Sequence, residues 1–264
     1  MLAYQWQAER GLPVVFLHGL LGSQDDWAEV FALLQNFPDI RPLAVDLPGH
    51  GKSGEIEPID FTIVRQQLHQ TLTHCLGSQP FYLVGYSLGG RIALDYFHHQ
   101  PNRLLQGLLL EGANIGLNDE TARQARWQND QNWANRFENE PLEKVLEAWY
   151  QQPVFADLTP DKRSEFIKKR QNNHATQIAK MLRATSLAKQ EKFDICSPKI
   201  RFLIGEQDHK FRAMATKNQL DYRLIAGAGH NAHQANPTAF VAELLAFIGE
   251  KNGTTSLPGM SQKN

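Results

Sequence analysis

The sequence predicts an α/β fold: a doubly wound, mostly parallel sheet with a helical cap inserted between its two halves. Short apolar runs alternate with stretches of helical periodicity over the first 110 or so residues. The alternation stops between about residues 118 and 192, where only helical patterning is found, and then resumes. Strands that alternate with helices are joined by crossovers, which gives parallel pairing.

Six runs have the length and apolar composition of strands buried on both faces of a parallel sheet. Several of them run into glycine-containing loops, which are typical of strand-to-helix connections. In chain order the predicted strands are Pro13–Leu17, Arg41–Val45, Phe81–Gly85, Leu104–Leu110, Lys199–Ile204 and Arg223–Ala226.

Apolar residues at helical spacing predict the intervening helices. The first is expected over about Asp25–Asn36 with Asp25 as its N-cap, since Asp is a preferred capping residue. Further helices are predicted over Phe61–Leu76, from Leu88 onward and over Pro237–Ile248.

The helical middle of the chain divides the sequence into three parts. We expect residues 1–114 and 194–250 to form one α/β core and residues 115–193 to form a cap over it. Residues 251–264 have no core-forming pattern, which predicts a disordered tail.

Composition excludes several functions. The net charge of -1 over 264 residues provides no electrostatic footprint for nucleic acid or an anionic membrane. The two cysteines, Cys75 and Cys196, form neither a disulfide framework nor a metal-ligand spacing, so we expect two reduced core cysteines. No signal peptide or membrane span is recognisable, so the cytoplasm is the expected location.

Residues 85–89, Gly-Tyr-Ser-Leu-Gly, match G-x-S-x-G between a predicted strand and a predicted helix. In that context the central serine lies on a sharp turn with its hydroxyl exposed at the edge of the sheet. The following helix directs the positive end of its dipole toward the serine. Ser87 is therefore the predicted reactive hydroxyl.

A serine hydroxyl needs a base and a group that orients the base. In this chain order the acid follows a late strand and the histidine lies near the end. Asp208 is the predicted acid, with Glu206 as a competitor two residues earlier. His230 is the predicted base, and His233 is the weaker alternative.

Two backbone N–H groups are expected to form an oxyanion hole. One is that of Leu88, directly after Ser87, and the other is that of Leu20, in the loop after the first predicted strand. His18 precedes that loop, and a structural role in shaping it is at least as well supported as a chemical one. No metal site is predicted.

The predicted cap is rich in arginine and amides, which is unlike a cap for apolar esters. Arg91 adds a further cation one helical turn after Ser87. Arginine binds carboxylates through a planar fork, so these residues together predict a small polyanionic substrate, although many cap arginines are expected to be solvated. The cap arginines are Arg123, Arg126, Arg136, Arg163, Arg170 and Arg183.

Seven segments resemble the 2-succinyl-6-hydroxy-2,4-cyclohexadiene-1-carboxylate synthases of the menaquinone pathway, which have the α/β-hydrolase fold. The triad segments are common to the whole superfamily, whereas SLGGR, ARWQ and WYQQP are selective for these synthases. The segments are 16–20 (FLHGL), 46–51 (DLPGHG), 84–91 (VGYSLGGR), 125–130 (ARWQND), 149–155 (WYQQPVF), 205–208 (GEQD) and 227–230 (GAGH).

The resemblance implies a lyase that removes a proton next to the succinyl carbonyl of a tricarboxylate and expels pyruvate. It implies that Ser87 acts as a base through His230, that Arg91, Arg126 and Arg170 hold carboxylates, and that Tyr86 and Trp149 line the pocket. It implies no cofactor, and we expect a monomer or weak homo-oligomer. A carboxylesterase, thioesterase or carbon–carbon bond hydrolase, with Ser87 as nucleophile, is the alternative.

Overall fold

The fold is built on a seven-stranded sheet, seen in a computed structural model that describes residues 1–252. The strand order is β1-β3-β2-β4-β5-β6-β7, with β1 antiparallel to β3 and every other pair parallel. The strands are β1 (Tyr4–Trp6), β2 (Leu12–Leu17), β3 (Ile40–Val45), β4 (Phe81–Tyr86), β5 (Leu105–Glu111), β6 (Ile200–Gly205) and β7 (Tyr222–Ile225).

Helices connect the strands and cover both faces of the sheet. They are α1 (Ala28–Leu34), α2 (Phe61–Leu76), α3 (Leu88–His99), α4 (Glu120–Asn139), α5 (Leu142–Trp149), α6 (Pro160–Arg170), α7 (Ala175–Ala184), α8 (His209–Lys217), α9 (Ala232–Ala235) and α10 (Pro237–Asn252). Across the part of the chain that the structure describes, no helix combines the length and apolarity needed to cross a membrane.

The central strands are apolar at nearly every position because helices pack on both of their faces. In β2, Val14 and Phe16 join a core cluster with residues of α1 and α10. The alternate residues Val15 and Leu17 join a second cluster with residues of α2, α3 and α8. The period of two along each strand therefore divides the core into two layers.

The helices α4 to α7 lie between β5 and β6 in the chain and share a small core of their own. Leu21, from the loop after β2, is buried in that core together with Phe137 and Ile178. The helical insert therefore packs directly on the loop in which the predicted oxyanion hole lies. We propose that residues 1–114 and 194–250 form the core and that residues 115–193 form the cap.

The structure confirms the predicted fold class and all six strands, and it corrects several boundaries. A 3₁₀ turn over Gln24–Trp27 precedes α1, and its cap is Ser23, whose hydroxyl accepts the Asp25 N–H. Asp25 is therefore not the cap. Cys196 is exposed. The last helix continues to Asn252, one turn beyond its expected end, and residues 253–264 of the predicted tail lie outside the described residues.

Candidate active site

Ser87 occupies the turn between β4 and α3 with φ at +49°. Such a conformation strains a residue with a side chain, and it is typical of a nucleophile turn. The flanking glycines permit the turn, since a Cβ on Gly85 would lie 2.6 Å from the Gly89 carbonyl oxygen and one on Gly89 would lie 2.4 Å from that of Leu17. The backbone thus fixes the Ser87 hydroxyl at the carboxyl edge of the sheet.

The structure brings Ser87, His230 and Asp208 together from three separate loops. His230 Nε2 lies 3.4 Å from Ser87 Oγ, and His230 Nδ1 lies 2.9 Å from Asp208 Oδ2. The first distance is long, as is common for catalytic hydrogen bonds before a substrate binds. Asp208 also accepts the Phe211 N–H at 3.2 Å, which holds its carboxylate at the start of α8.

The competing residues bind elsewhere. Glu206 is exposed, and its carboxylate accepts the N–H of Gly227 at 3.0 Å. His233 is buried and pairs through Nδ1 with Glu111 at 2.7 Å. Neither residue therefore takes the place of Asp208 or His230 beside Ser87.

The two proposed oxyanion donors both line the cavity beside Ser87. Within residues 1–252, neither the Leu20 N–H nor the Leu88 N–H donates to a protein acceptor. Gly19 brings the first donor close, because a Cβ at Gly19 would lie 3.6 Å from Ser87 Cβ. Two free N–H groups beside the hydroxyl are the arrangement that stabilises a developing oxyanion.

Two buried histidines support the loop that carries Leu20. His18 accepts the Leu47 N–H at 3.0 Å, and His50 accepts the Leu21 N–H at 3.1 Å. Burial lowers the pKa of His18 to about 4 and that of His50 to about 3, the latter assisted by His18. Both rings are therefore neutral acceptors at physiological pH, which is a structural role.

The triad opens into a cavity of about 520 Å³ between the sheet edge and the helical insert. That volume suits a small organic molecule. Its wall combines apolar residues with amides and cations. The lining includes Leu20, Ser87, Leu88, Arg91, Asn114, Arg126, Asn129, Asp130, Trp149, Phe155, Leu182, Lys210, Phe211 and His230.

Arg91 lines this cavity, one turn into α3. Its guanidinium donates to the Thr185 carbonyl at 2.7 Å and to Gln190 Oε1 at 3.3 Å, and no carboxylate pairs with it among residues 1–252. Burial and the positive charge of Arg126 lower the pKa of Arg91 to about 9, while Asp130 acts in the opposite direction. Arg91 is thus a charged donor without a protein anion.

Arg126 and Trp149 also lie in the wall. Arg126 binds Asp130 through Nε, at 2.8 and 2.9 Å to the two carboxylate oxygens. Asp130 further accepts the hydroxyl of Ser186 at 2.7 Å, so the ion pair is anchored to the rest of the insert. Trp149 packs against Trp133 with ring centroids 4.9 Å apart, which makes it a rigid part of the wall.

Two of the predicted substrate-contacting residues do not line the cavity. Arg170 is 6 % exposed and makes a two-pronged ion pair with Asp26, at 2.6 and 2.8 Å. Tyr86 lies beneath the triad, with its ring 5.4 Å from that of His230. Burial, together with Glu111, raises the pKa of Tyr86 well above its usual value, so its hydroxyl stays protonated.

The other cap arginines have partners outside the cavity, as expected for residues that stabilise a helical layer. Arg123 donates to two backbone carbonyls and Arg163 to that of Leu158, whereas Arg136 pairs with Glu140 and Arg183 with Glu138. Among the described residues, no cluster of three or more His, Cys, Asp or Glu side chains could hold a metal ion.

Sequence reasoning missed one cation in the wall, Lys210. It stands two residues after Asp208, and that proximity to the predicted acid was the available signal. The composition of the predicted cap indicated only arginines between residues 123 and 183, which lie far from Lys210 in the sequence. The structure also adds Asn114 and Asn129 as polar groups in the wall.

Known proteins with similar sequences and structures agree with this architecture. Residues 13–237 match the α/β hydrolase fold family. The 2-succinyl-6-hydroxy-2,4-cyclohexadiene-1-carboxylate synthases of Yersinia pseudotuberculosis serotype O:1b (strain IP 31758) and Yersinia pestis (strain Pestoides F) are each 45% identical over 243 residues, or 90% of this chain and 88% of the relative.

Among solved structures, MenH from S. aureus superposes with a TM-score of 0.83 at 26% identity, covering 94% of this chain and 98% of that one. A thermophilic esterase from Thermogutta terrifontis gives 0.79 at 20% identity, covering 95% and 93%, which supports the fold alone. The chain therefore belongs to the α/β-hydrolase-fold family and, within it, to the 2-succinyl-6-hydroxy-2,4-cyclohexadiene-1-carboxylate synthases.

Proposed function

We propose that this protein is a lyase that forms 2-succinyl-6-hydroxy-2,4-cyclohexadiene-1-carboxylate and pyruvate from 2-succinyl-5-enolpyruvyl-6-hydroxy-3-cyclohexene-1-carboxylate. The observation that carries the proposal is the serine triad opening into a cavity lined by Arg126 and by Arg91, which has no protein anion among residues 1–252. A general esterase cavity has no need of Arg91 and Arg126 beside the reactive hydroxyl. A substrate with three carboxylates does need them.

The two ring systems define the chemistry. The reactant has one ring double bond, between C3 and C4, and the product has two, C2–C3 and C4–C5. A proton must therefore leave C2, which bears the succinyl carbonyl, while the enolpyruvyl oxygen leaves C5. The electron pair of the C2–H bond moves through the ring and expels the oxygen as the enolate of pyruvate, which takes up a proton to give pyruvate.

In this scheme the triad supplies the base. His230 accepts the proton of Ser87 Oγ, and Asp208 stabilises the imidazolium that forms. The Ser87 oxygen then takes the C2 proton, a role for which its fixed position at the turn is suitable. No covalent bond between Ser87 and the substrate is required.

The oxyanion hole has a role in elimination as well as in acyl transfer. Loss of the C2 proton places negative charge on the succinyl carbonyl oxygen. The free N–H groups of Leu20 and Leu88 would donate to that oxygen, which carries full charge only as the proton leaves. Such donors stabilise the transition state more than the bound substrate.

The carboxylates distinguish this substrate from a simple ester. Arg91 and Arg126 both line the cavity, and Trp149 contributes an aromatic side chain to its wall. Planar bidentate pairing suits an arginine and a carboxylate.

The reaction needs no metal or organic cofactor. A triply charged substrate crosses membranes poorly, so we place the reaction in the cytoplasm, and we retain a monomer or weak homo-oligomer as a prediction.

The test is release of pyruvate. The tricarboxylate is generated in place by the enzyme that makes it and is then offered to wild type, Ser87→Ala and the exposed control Ser164→Ala. We expect rapid release from wild type and the control. The loss in Ser87→Ala should be about 10³-fold or more, as for other triad serines.

A chromogenic acetate ester is assayed in parallel, and spontaneous decay of the tricarboxylate is subtracted. Fast ester cleavage with no pyruvate release above that decay would replace the lyase with a hydrolase that uses Ser87 as nucleophile.

A further inference from the structure

Lys210 is a cation at the rim of the cavity that the triad chemistry does not use. It is the second residue of α8 and lines the cavity beside Phe211 and His230. Its ammonium nitrogen lies 5.8 Å from the centroid of the Phe211 ring. The lysine is exposed to solvent and lines the cavity from α8, whereas Arg126 lines it from α4.

The charges of this wall do not balance. Arg91, Arg126 and Lys210 line the cavity, and Asp130 is the one carboxylate among the residues that line it within the described range 1–252. Asp130 is already bound to Arg126 Nε. Within the same range Lys210 forms no ion pair, so two of the three cations have no protein anion.

The surroundings of Lys210 oppose its charge. Although the residue is exposed, loss of water around the ammonium group where it faces the cavity wall lowers its pKa, the neighbouring positive charge of Arg126 lowers it further, and Asp208 raises it. An anion between Lys210 and Arg126 would remove this repulsion. The unliganded wall therefore favours the binding of a negatively charged ligand.

The local helix also disfavours a lysine at this position. Asp208 is the N-cap of α8, so Lys210 lies in the first turn, where the positive end of the helix dipole repels a cation. Lys217, at the last position of the same helix, is placed where the dipole attracts one. A residue that violates a local rule is commonly retained for function.

We propose that Lys210 binds a carboxylate of the substrate, so that Arg91, Arg126 and Lys210 together receive its three carboxylates, in place of the set that includes Arg170. This inference rests on the proposed lyase function. It makes Lys210 a substrate-binding residue and leaves Arg170 to the contact between α6 and the loop after β2.

The test compares Lys210→Met with Lys210→Arg and with the matched control Lys217→Met. We expect kcat/KM for pyruvate release to fall roughly 10- to 100-fold in Lys210→Met, mainly through KM, because one charged contact is lost. Lys210→Arg should recover most of the activity, and Lys217→Met should match wild type. The Tm of Lys210→Met should equal or exceed that of wild type, since an unfavourable charge leaves the start of a helix.

A fall in kcat/KM below threefold, or an equal loss in Lys210→Arg and Lys210→Met, would overturn the proposal. A Tm well below that of wild type would assign Lys210 a structural role instead.

Titration with tricarballylate, a stable tricarboxylate, separates this inference from the function itself. If wild type binds it and Lys210→Met binds at least five times more weakly, the carboxylate site stands even when no pyruvate is released. If wild type does not bind it, or if the two bind equally, the carboxylate site is refuted even when pyruvate release is normal.

Discussion

Replacing Arg170 with methionine should destabilise the fold far more than it weakens substrate binding. The guanidinium makes two hydrogen bonds to Asp26, at 2.6 and 2.8 Å, and a third to the Tyr150 hydroxyl at 3.3 Å. Although burial alone would raise the pKa of Asp26, the charge of Arg170 holds it below its usual value. The substitution therefore leaves a buried carboxylate without its partner.

The expected cost follows from that unpaired charge. Removing one partner of a buried ion pair typically lowers the free energy of unfolding by about 3–5 kcal/mol. Removing the charge of the other partner as well should restore part of the loss. We expect Arg170→Met combined with Asp26→Asn to be about 2 kcal/mol more stable than Arg170→Met alone, because residues in one ion pair are coupled.

Activity should change through the loop after β2. Asp26 follows that loop, and the Asn173 side chain, three residues after Arg170, donates to the Leu21 carbonyl at 3.0 Å. A loosened contact would displace the neighbouring Leu20 N–H. The predicted signature is a fall in kcat with a much smaller change in KM, since the oxyanion donor acts in the transition state.

Urea denaturation followed by tryptophan fluorescence measures the stabilities, and pyruvate release measures kcat and KM. A cost below about 1 kcal/mol for Arg170→Met, together with a large rise in KM, would contradict this reasoning. That result would return Arg170 to carboxylate binding.

Two further predictions concern the cavity and its supporting loop. Arg91→Ala should cost about 2–5 kcal/mol in kcat/KM if it pairs with a buried carboxylate, and a steady-state effect below about 0.5 kcal/mol would place it outside the site. Burial lowers the pKa of His18 to about 4 and that of His50 to about 3, whereas both are near 6.5 in the unfolded chain. The unfolded state therefore binds more protons than the folded state below pH 6.5. The stability that each neutral histidine contributes should be fully present above pH 6.5 and about 2 kcal/mol lower at pH 5. Urea denaturation at pH 7 and pH 5 measures this difference, and His50→Gln should lose the share that His50 contributes. An unchanged pH dependence in that variant would contradict the assignment.

Most of the sheet could be predicted because its signals are local. Buried parallel strands are continuous apolar runs, and each of the six was recognisable without its neighbours. The edge strand β1 was missed, since Tyr4–Trp6 is short and only partly buried. The helix α8 was missed because it is short and carries three basic residues among nine, which weakens its apolar pattern.

The triad was recognisable from order along the chain, whereas the partners of the arginines were not. Arg170 and Asp26 are 144 residues apart, and nothing in the local sequence of either indicates the other. An arginine count in the cap therefore predicts an anionic substrate without deciding which arginines meet it.

Because ion-pair partners cannot be predicted from local sequence, Arg170 was wrongly expected in the cavity wall and Lys210 was missed there. The free energy of an exposed cation is nearly independent of its neighbours, but a buried cation must have an anion, either from the protein or from a ligand. Arg170 has its anion within the fold, so its burial argues for a structural contact. Arg91 is only partly exposed and has none among residues 1–252, so its place in the cavity wall argues for a ligand. Lys210 is exposed and needs no anion for stability, so the case for a ligand there rests on its place in the cavity wall and in the first turn of α8. Whether a protein carboxylate neutralises a buried cation is thus decided by the tertiary structure, and Arg126 is the intermediate case, since Asp130 binds its Nε and Arg126 still lines the cavity.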